Sequence, residues 1–162
     1  MPNTDYHLLI EGVRGEFKRD GKDEGIEIQR FEFGAQVARD GASGQARQRR
    51  RYTDVKFNKV LDRASPTLQT MLATNAKIKK ATLSVHKAAG DKRLLYYKVI
   101  LSDAYVSFYN VVGEDSEDRF GSIPRDEFCI NFRKIEVEYT KQSQEGDKDG
   151  GVSFSDTLDQ IV

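Results

Sequence analysis

The stretch Phe128-Cys129-Ile130-Asn131-Phe132-Arg133-Lys134-Ile135-Glu136-Val137-Glu138-Tyr139 changes the parity of its apolar residues partway along. Phe128, Ile130 and Phe132 fall on even positions, whereas Ile135, Val137 and Tyr139 fall on odd ones. Side chains along a strand alternate between its two faces, so one straight strand cannot deliver both sets to the same core. The chain must turn a corner near Arg133 and Lys134. The same signature occurs upstream in Leu95 to Val112, where Tyr97, Val99 and Leu101 give way to Ala104, Val106 and Phe108 near Asp103. A third instance lies in Ile26 to Phe33, where Ile26 and Ile28 are followed by Phe31 and Phe33, as a bulge near Gln29 and Arg30 would produce.

Around these bent segments the period-two pattern predicts plainer strands at Tyr6–Ile10, Tyr52–Lys59 and Lys79–Lys87, with Ala88-Ala89-Gly90-Asp91 as a hairpin-type connection. One helix is predicted between them. Ser65 suits its N-cap, Pro66 its first position, and Leu68, Met71 and Leu72 one face, with an end near Asn75. Antiparallel strands with repeated parity shifts predict a mainly β chain: a small closed antiparallel β-barrel with one covering α-helix, because strands must coil for sheet edges to meet. Two segments lie outside that core. Gly34 to Arg51 is an extended loop without apolar period, and Gln142 to Val162 is a flexible tail.

At 162 residues the chain reads as a single domain over 1–162. Its 26 basic and 26 acidic residues balance, which argues against a surface built wholly for nucleic acid or anionic lipid. Nine Phe and seven Tyr supply a sizeable core and exclude wholesale disorder. Tyr6–Ile10 is too short for the apolar region of a secretory leader, and no run of eighteen apolar residues exists to span a bilayer. The expectation is a protein made in the cytoplasm that leaves, if it leaves, without a signal peptide.

Candidates for chemistry are few. His7 and His86 lack a sequence-local partner at metal-ligand spacing, and Cys129, the only cysteine, alternates between Phe128 and Ile130 as a packing residue. A disulfide within the chain and a Cys-rich zinc site are therefore excluded. No phosphate-binding glycine loop or nucleophile elbow is present. The reading is no enzyme, no cofactor and no metal.

Charge is the sharper signal. Arg47, Arg49, Arg50 and Arg51 place four guanidinium groups in five residues, and Glu114, Asp115, Glu117 and Asp118 place four carboxylates in five. Three uses fit the basic run: a solvated loop, a phosphate-bearing ligand or nucleic acid, or a protein partner carrying the opposite charge. Arg47–Arg51 contains no aromatic residue on which a base could stack.

The order and spacing of Gly12-Val13-Arg14-Gly15-Glu16, Ser65-Pro66-Thr67-Leu68, His86-Lys87-Ala88-Ala89-Gly90 and Leu101-Ser102-Asp103-Ala104-Tyr105-Val106-Ser107 resemble the haemolysin-coregulated protein (Hcp) family. Asn131 to Tyr139 is similar to the family's last core strand and Asp149-Gly150-Gly151 to its glycine-bearing tail. The resemblance runs from about Tyr6 to Val152. It implies a barrel protomer that forms a homohexameric ring, with rings stacking into the inner tube of the bacterial type VI secretion system. That tube carries effector proteins, is driven by a contractile sheath and is capped by a spike protein. It also implies that 34–51 is the family's extended loop, although here the loop ends in arginines where the family is often rich in Gly and Ser.

On that resemblance Arg30 and Glu32, which alternate with the core residues Phe31 and Phe33, face the lumen as effector contacts. Arg47, Arg49, Arg50, Arg51, Glu114, Asp115, Glu117 and Asp118 are the expected ring-stacking or subunit-interface residues. The partners implied are other copies of this chain, the spike, the sheath and effectors, with no nucleic acid and no membrane insertion. The rival expectation is a ligand- or nucleic-acid-binding β-barrel that uses Arg47–Arg51.

Overall fold

The computed structural model describes residues 4–19, 22–89, 92–115, 123–142 and 148–158. In chain order the strands are β1 (Thr4–Ile10), β2 (Phe17–Arg19), β3 (Lys22–Ile28), β4 (Arg30–Glu32), β5 (Ala35–Gln36), β6 (Arg51–Tyr52) and β7 (Val55–Val60). The helix α1 (Ala64–Thr74) follows, then β8 (Ile78–Ala89), β9 (Lys92–Val112), β10 (Arg125–Asn131), β11 (Lys134–Gln142) and β12 (Lys148–Thr157). One sheet runs β2-β3-β1-β8-β9-β10-β7-β4, and β11 adds to β9 and carries β12. Every pairing in it is antiparallel.

The parity shifts mark real corners. β9 stays one strand of 21 residues, but its buried set changes from Val99 and Leu101 to Ala104 and Val106 at Asp103, whose φ is +50°. A single residue in that left-handed conformation rotates the following side chains by one place. β10 and β11 lie end to end along β9 and bend at the same level, because Lys134 pairs with Ser102 and Asn131 with Tyr105. Two strands that stay paired must kink together or lose their ladder. The backbone N–H of Arg133 donates to Ser102 O across this double corner at 3.2 Å.

The third shift separates β3 from β4 at Gln29. β3 pairs with β1, β4 pairs with β7, and the Gln29 N–H donates to Asn58 O at 2.9 Å. The ladder is thus an open path with β2 and β4 at its ends, where a closed barrel is the sequence expectation; the chain passes from β3 to β4 through Gln29. Inside lie Leu8, Ile10, Ile26, Ile28, Val55, Phe57, Leu83, Val99, Leu101, Phe128, Ile130 and Ile135, all buried. Gly15 is obligatory for this packing, since a Cβ there would stand 2.0 Å from Gly25 O.

Two local expectations need correction. The helix N-cap is Arg63, without a side-chain bond, and not Ser65. Ser65 Oγ instead accepts from the Asp62 N–H at 3.1 Å and from Lys59 Nζ at 2.7 Å, while Asp62 Oδ1 accepts the Ala64 N–H at 2.9 Å. The extended loop 34–51 forms most of a hairpin arm, with β5 paired to β6 and an Arg39–Ala46 bridge. The expected tail contains β12, which pairs with β11 from Lys134↔Thr157 to Gln142↔Lys148, although none of residues 150–158 is buried. At the other end of α1, Asn75 adopts φ +55° as the left-handed C-cap, where the sequence places the helix end.

Candidate assembly surfaces

The arm leaves the body at Gly34 and returns at Thr53, whose N–H donates to Gly34 O at 2.9 Å. Outward from there Ala35 pairs with Tyr52, Gln36 with Arg51, and Arg39 with Ala46. At the tip the Asp40 carboxylate accepts the Ser43 hydroxyl at 2.9 Å and the Arg47 guanidinium at 3.2 Å. The Ser43 bond, the Ala42 N–H and Arg47 hold the Asp40 carboxyl below the usual carboxylate range, against the opposing effect of burial. Arg39 donates to Gly44 O at 3.1 Å, and Gly44 supplies the φ of +73° that the turn requires. No residue from 34 to 53 is buried.

The four arginines of the basic run differ in what they touch. Arg47 belongs to the tip. Arg50 turns back to the body, where its Nε and Nη2 donate to the two Asp156 oxygens at 2.5 and 2.6 Å and Nη2 also reaches Thr157 O at 3.0 Å. Arg49 and Arg51 are exposed, Arg51 within β6. Of the acidic run, Glu114 and Asp115 are exposed at the end of β9, while Glu117 and Asp118 lie outside the described residues.

Arg30 and Glu32 share the outer face of β4, as alternation with Phe31 predicts, and pair with each other at 2.7 Å. The register sets them in a polar wall that sequence reading missed. Arg30 stands opposite Asn58 and Asn58 opposite Glu127; Glu32 stands opposite Lys56 and Lys56 opposite Cys129. Lys56 and Glu127 close an ion pair at 3.1 Å, and Asn58 Nδ2 donates to Glu127 at 3.2 Å. Cys129 is half-buried in this wall, and that burial pushes its thiol pKa up, away from a nucleophile's requirement. The register beside it places Phe108, exposed on the same face.

Behind the wall lies a buried ionic cluster. Lys59 pairs across the ladder with Asp126; its Nζ stands 2.9 Å from Asp126 Oδ2 and 2.8 Å from Asp62 Oδ1, and Tyr109 donates its hydroxyl to Asp126 Oδ2 at 2.9 Å. Burial, then the bond to Asp126, pushes the Tyr109 phenol up to about 12. Parity is the signal that could have found this cluster. Lys59 continues the inward series Val55 and Phe57, and Asp126 precedes Phe128 and Ile130 in theirs. The two histidines, distant in sequence, stack at 5.0 Å, and His7 also stacks on Phe17 at 5.0 Å. Among the described residues no group of three or more His, Cys, Asp or Glu could hold a metal ion, and no helix is long and apolar enough to cross a membrane.

The bent β wall with its one helix and projecting hairpin is a fold shared with a protein described as belonging to a type six secretion system. Its solved structure superposes with a TM-score of 0.84 at 22% identity, covering 95% of both chains. Residues 7–139 match the family described as "Type VI secretion system effector, Hcp", and the chain belongs to that family. Two Pseudomonas aeruginosa proteins, "Protein hcp1" and "Major exported protein", are each 30% identical over 98 and 100 residues respectively, which is 60% of this chain and 58% of each relative. Hcp1 of Salmonella typhimurium shares the fold at a TM-score of 0.75 and 24% identity over 97% of this chain and 96% of its own.

Proposed function

We propose that this chain is the tube component of a bacterial type VI secretion system: protomers close into a hexameric ring, rings stack, and effector proteins travel in the lumen. The sheath and the spike are the further partners, and assembly takes place in the bacterial cytoplasm before the protein leaves with the tube. The role is structural rather than enzymatic. In this reading the ladder is a barrel closed through Gln29, with Arg30, Glu32, Lys56 and Glu127 on the lumen.

The observation that carries the reading is the arm. Ordering some twenty residues costs about 1–2 kcal/mol each in backbone entropy, and no residue of this hairpin is buried within its own chain, Tyr52 at its root being only partly buried against the core. A folded projection of that kind is suited to a neighbouring copy. Ring stacking by Arg47, Arg49 and Arg51 against Glu114, Asp115, Glu117 and Asp118 fits an exposed, salt-sensitive contact repeated around a ring. The nucleic-acid alternative is weaker, because Arg47 and Arg50 already hold carboxylates of this chain.

Native mass spectrometry of the purified protein, paired with negative-stain imaging, tests the reading. Six copies in a ring are expected. A monomer at all micromolar concentrations would remove it, and a monomer that shifts labelled oligonucleotide would install the rival.

A further inference from the structure

The root of the arm meets the end of β12 in a constellation that self-assembly alone does not require. Asp156 is paired across the ladder with Ile135, and two residues later the Leu158 N–H donates to Arg133 O at 2.7 Å, so the end of β12 is tied to the double corner. Onto this fixed carboxylate the arm places three donors. Arg50 grips both Asp156 oxygens and Thr157 O, and Tyr52 donates its hydroxyl to Asp156 Oδ2 at 2.8 Å. The Tyr52 ring packs edge-on against Phe132 of the same corner at 5.7 Å. Asp156 is largely shielded, with 17% of its side chain exposed.

We propose that Arg50, Tyr52 and Asp156 form a latch that fixes the direction of the arm in the isolated protomer, with Arg50 and Asp156 as its positioning residues. A two-stranded hairpin with no buried residue would otherwise swing about Gly34 and Thr53. A planar guanidinium on a carboxylate sets direction as well as distance, because two parallel hydrogen bonds define a plane. Holding the arm in one pose lowers the ordering cost when a partner arrives. The latch also makes the C-terminal strand part of the arm's machinery, since whatever peels β12 from β11 releases the arm. The proposal rests on the tube reading only for what the arm then contacts.

The arm carries its own reporter, because trypsin cleaves after arginine and Arg39, Arg47, Arg49 and Arg51 are all exposed. Limited tryptic digestion followed by mass spectrometry, alongside thermal melts, is run on wild type, R50D, D156R and the swap R50D/D156R. Each single variant places like charges together and is expected to cleave in the arm about tenfold faster, with an unchanged melting temperature, since cleavage follows the population of the open form. The swap restores the pair and is expected to return the rate toward wild type. Y52F should give a smaller acceleration, and R50Q serves if a reversal fails to fold.

Wild-type cleavage rates in R50D, D156R and R50Q would overturn the latch, as would acceleration across the whole chain with a lowered melting temperature, or a swap that restores nothing. Native mass measured on the same samples keeps the two readings apart. A monomeric wild type with a protected arm that opens in R50D upholds the latch and denies the tube.

Discussion

Replacing Lys59 by Met tests how the interior tolerates its one ionic cluster among the described residues. Lys59 and Asp126 have no side-chain exposure, and Lys59 Nζ lies within 2.9 Å of Asp126, Asp62 and Ser65 Oγ. Met keeps the length and most of the volume but removes the ammonium. Asp62, at 11% exposure, keeps solvent and the Ala64 N–H. Asp126 keeps the Tyr109 hydroxyl alone of its bonds to Oδ2, so an uncompensated carboxylate remains in the core. Removing one partner of a buried pair costs about 3–5 kcal/mol. For a chain of this length each kcal/mol moves the melting temperature by about 2–4 °C, so K59M should melt about 6–20 °C lower.

The assay is urea and thermal unfolding by circular dichroism at fixed protein concentration, because association alters apparent stability. The double variant K59M/D126L removes both charges and should recover most of the loss, since a buried pair is often replaceable by apolar residues of similar volume. A loss below about 1 kcal/mol for K59M would refute the reasoning, and so would a double variant whose loss equals the sum of the singles.

Tyr109 supplies a second check: its phenol is held at about 12 by burial and Asp126, so one tyrosine should ionise well after the exposed ones in a spectrophotometric titration and vanish from that late phase in Y109F. The sign follows from the raised value: the bond to Asp126 favours the protonated phenol, so its contribution to stability holds below pH 10 and is lost as the pH rises through about 12. Glu32 tests the lumen placement, since E32R breaks an exposed pair with Arg30 and should change effector retention while native mass stays that of the ring. A ring that falls apart in E32R would move this residue to a subunit interface.

Alternation alone carried a large part of this protein. Each parity shift, at Gln29, at Asp103 and at Arg133, is a bend in the described strands, because a strand has only two faces and a core must receive one of them. The end of α1 near Asn75 was equally legible, and so was the exposure of Arg30 and Glu32 on the face away from Phe31. These are properties of residues near one another along the chain. What the sequence could not display was which distant segments share a register. That Lys59 faces Asp126 depends on β7 lying beside β10, and that Glu127 neutralises Lys56 depends on the same pairing. The basic run reads as four equivalent arginines, yet Arg50 lies against Asp156, 106 residues away, because β12 returns along β11 to the root of the arm. Charge and polarity are written residue by residue, whereas the partner of a charge is set by topology, since ladder pairing brings together residues that no local pattern relates.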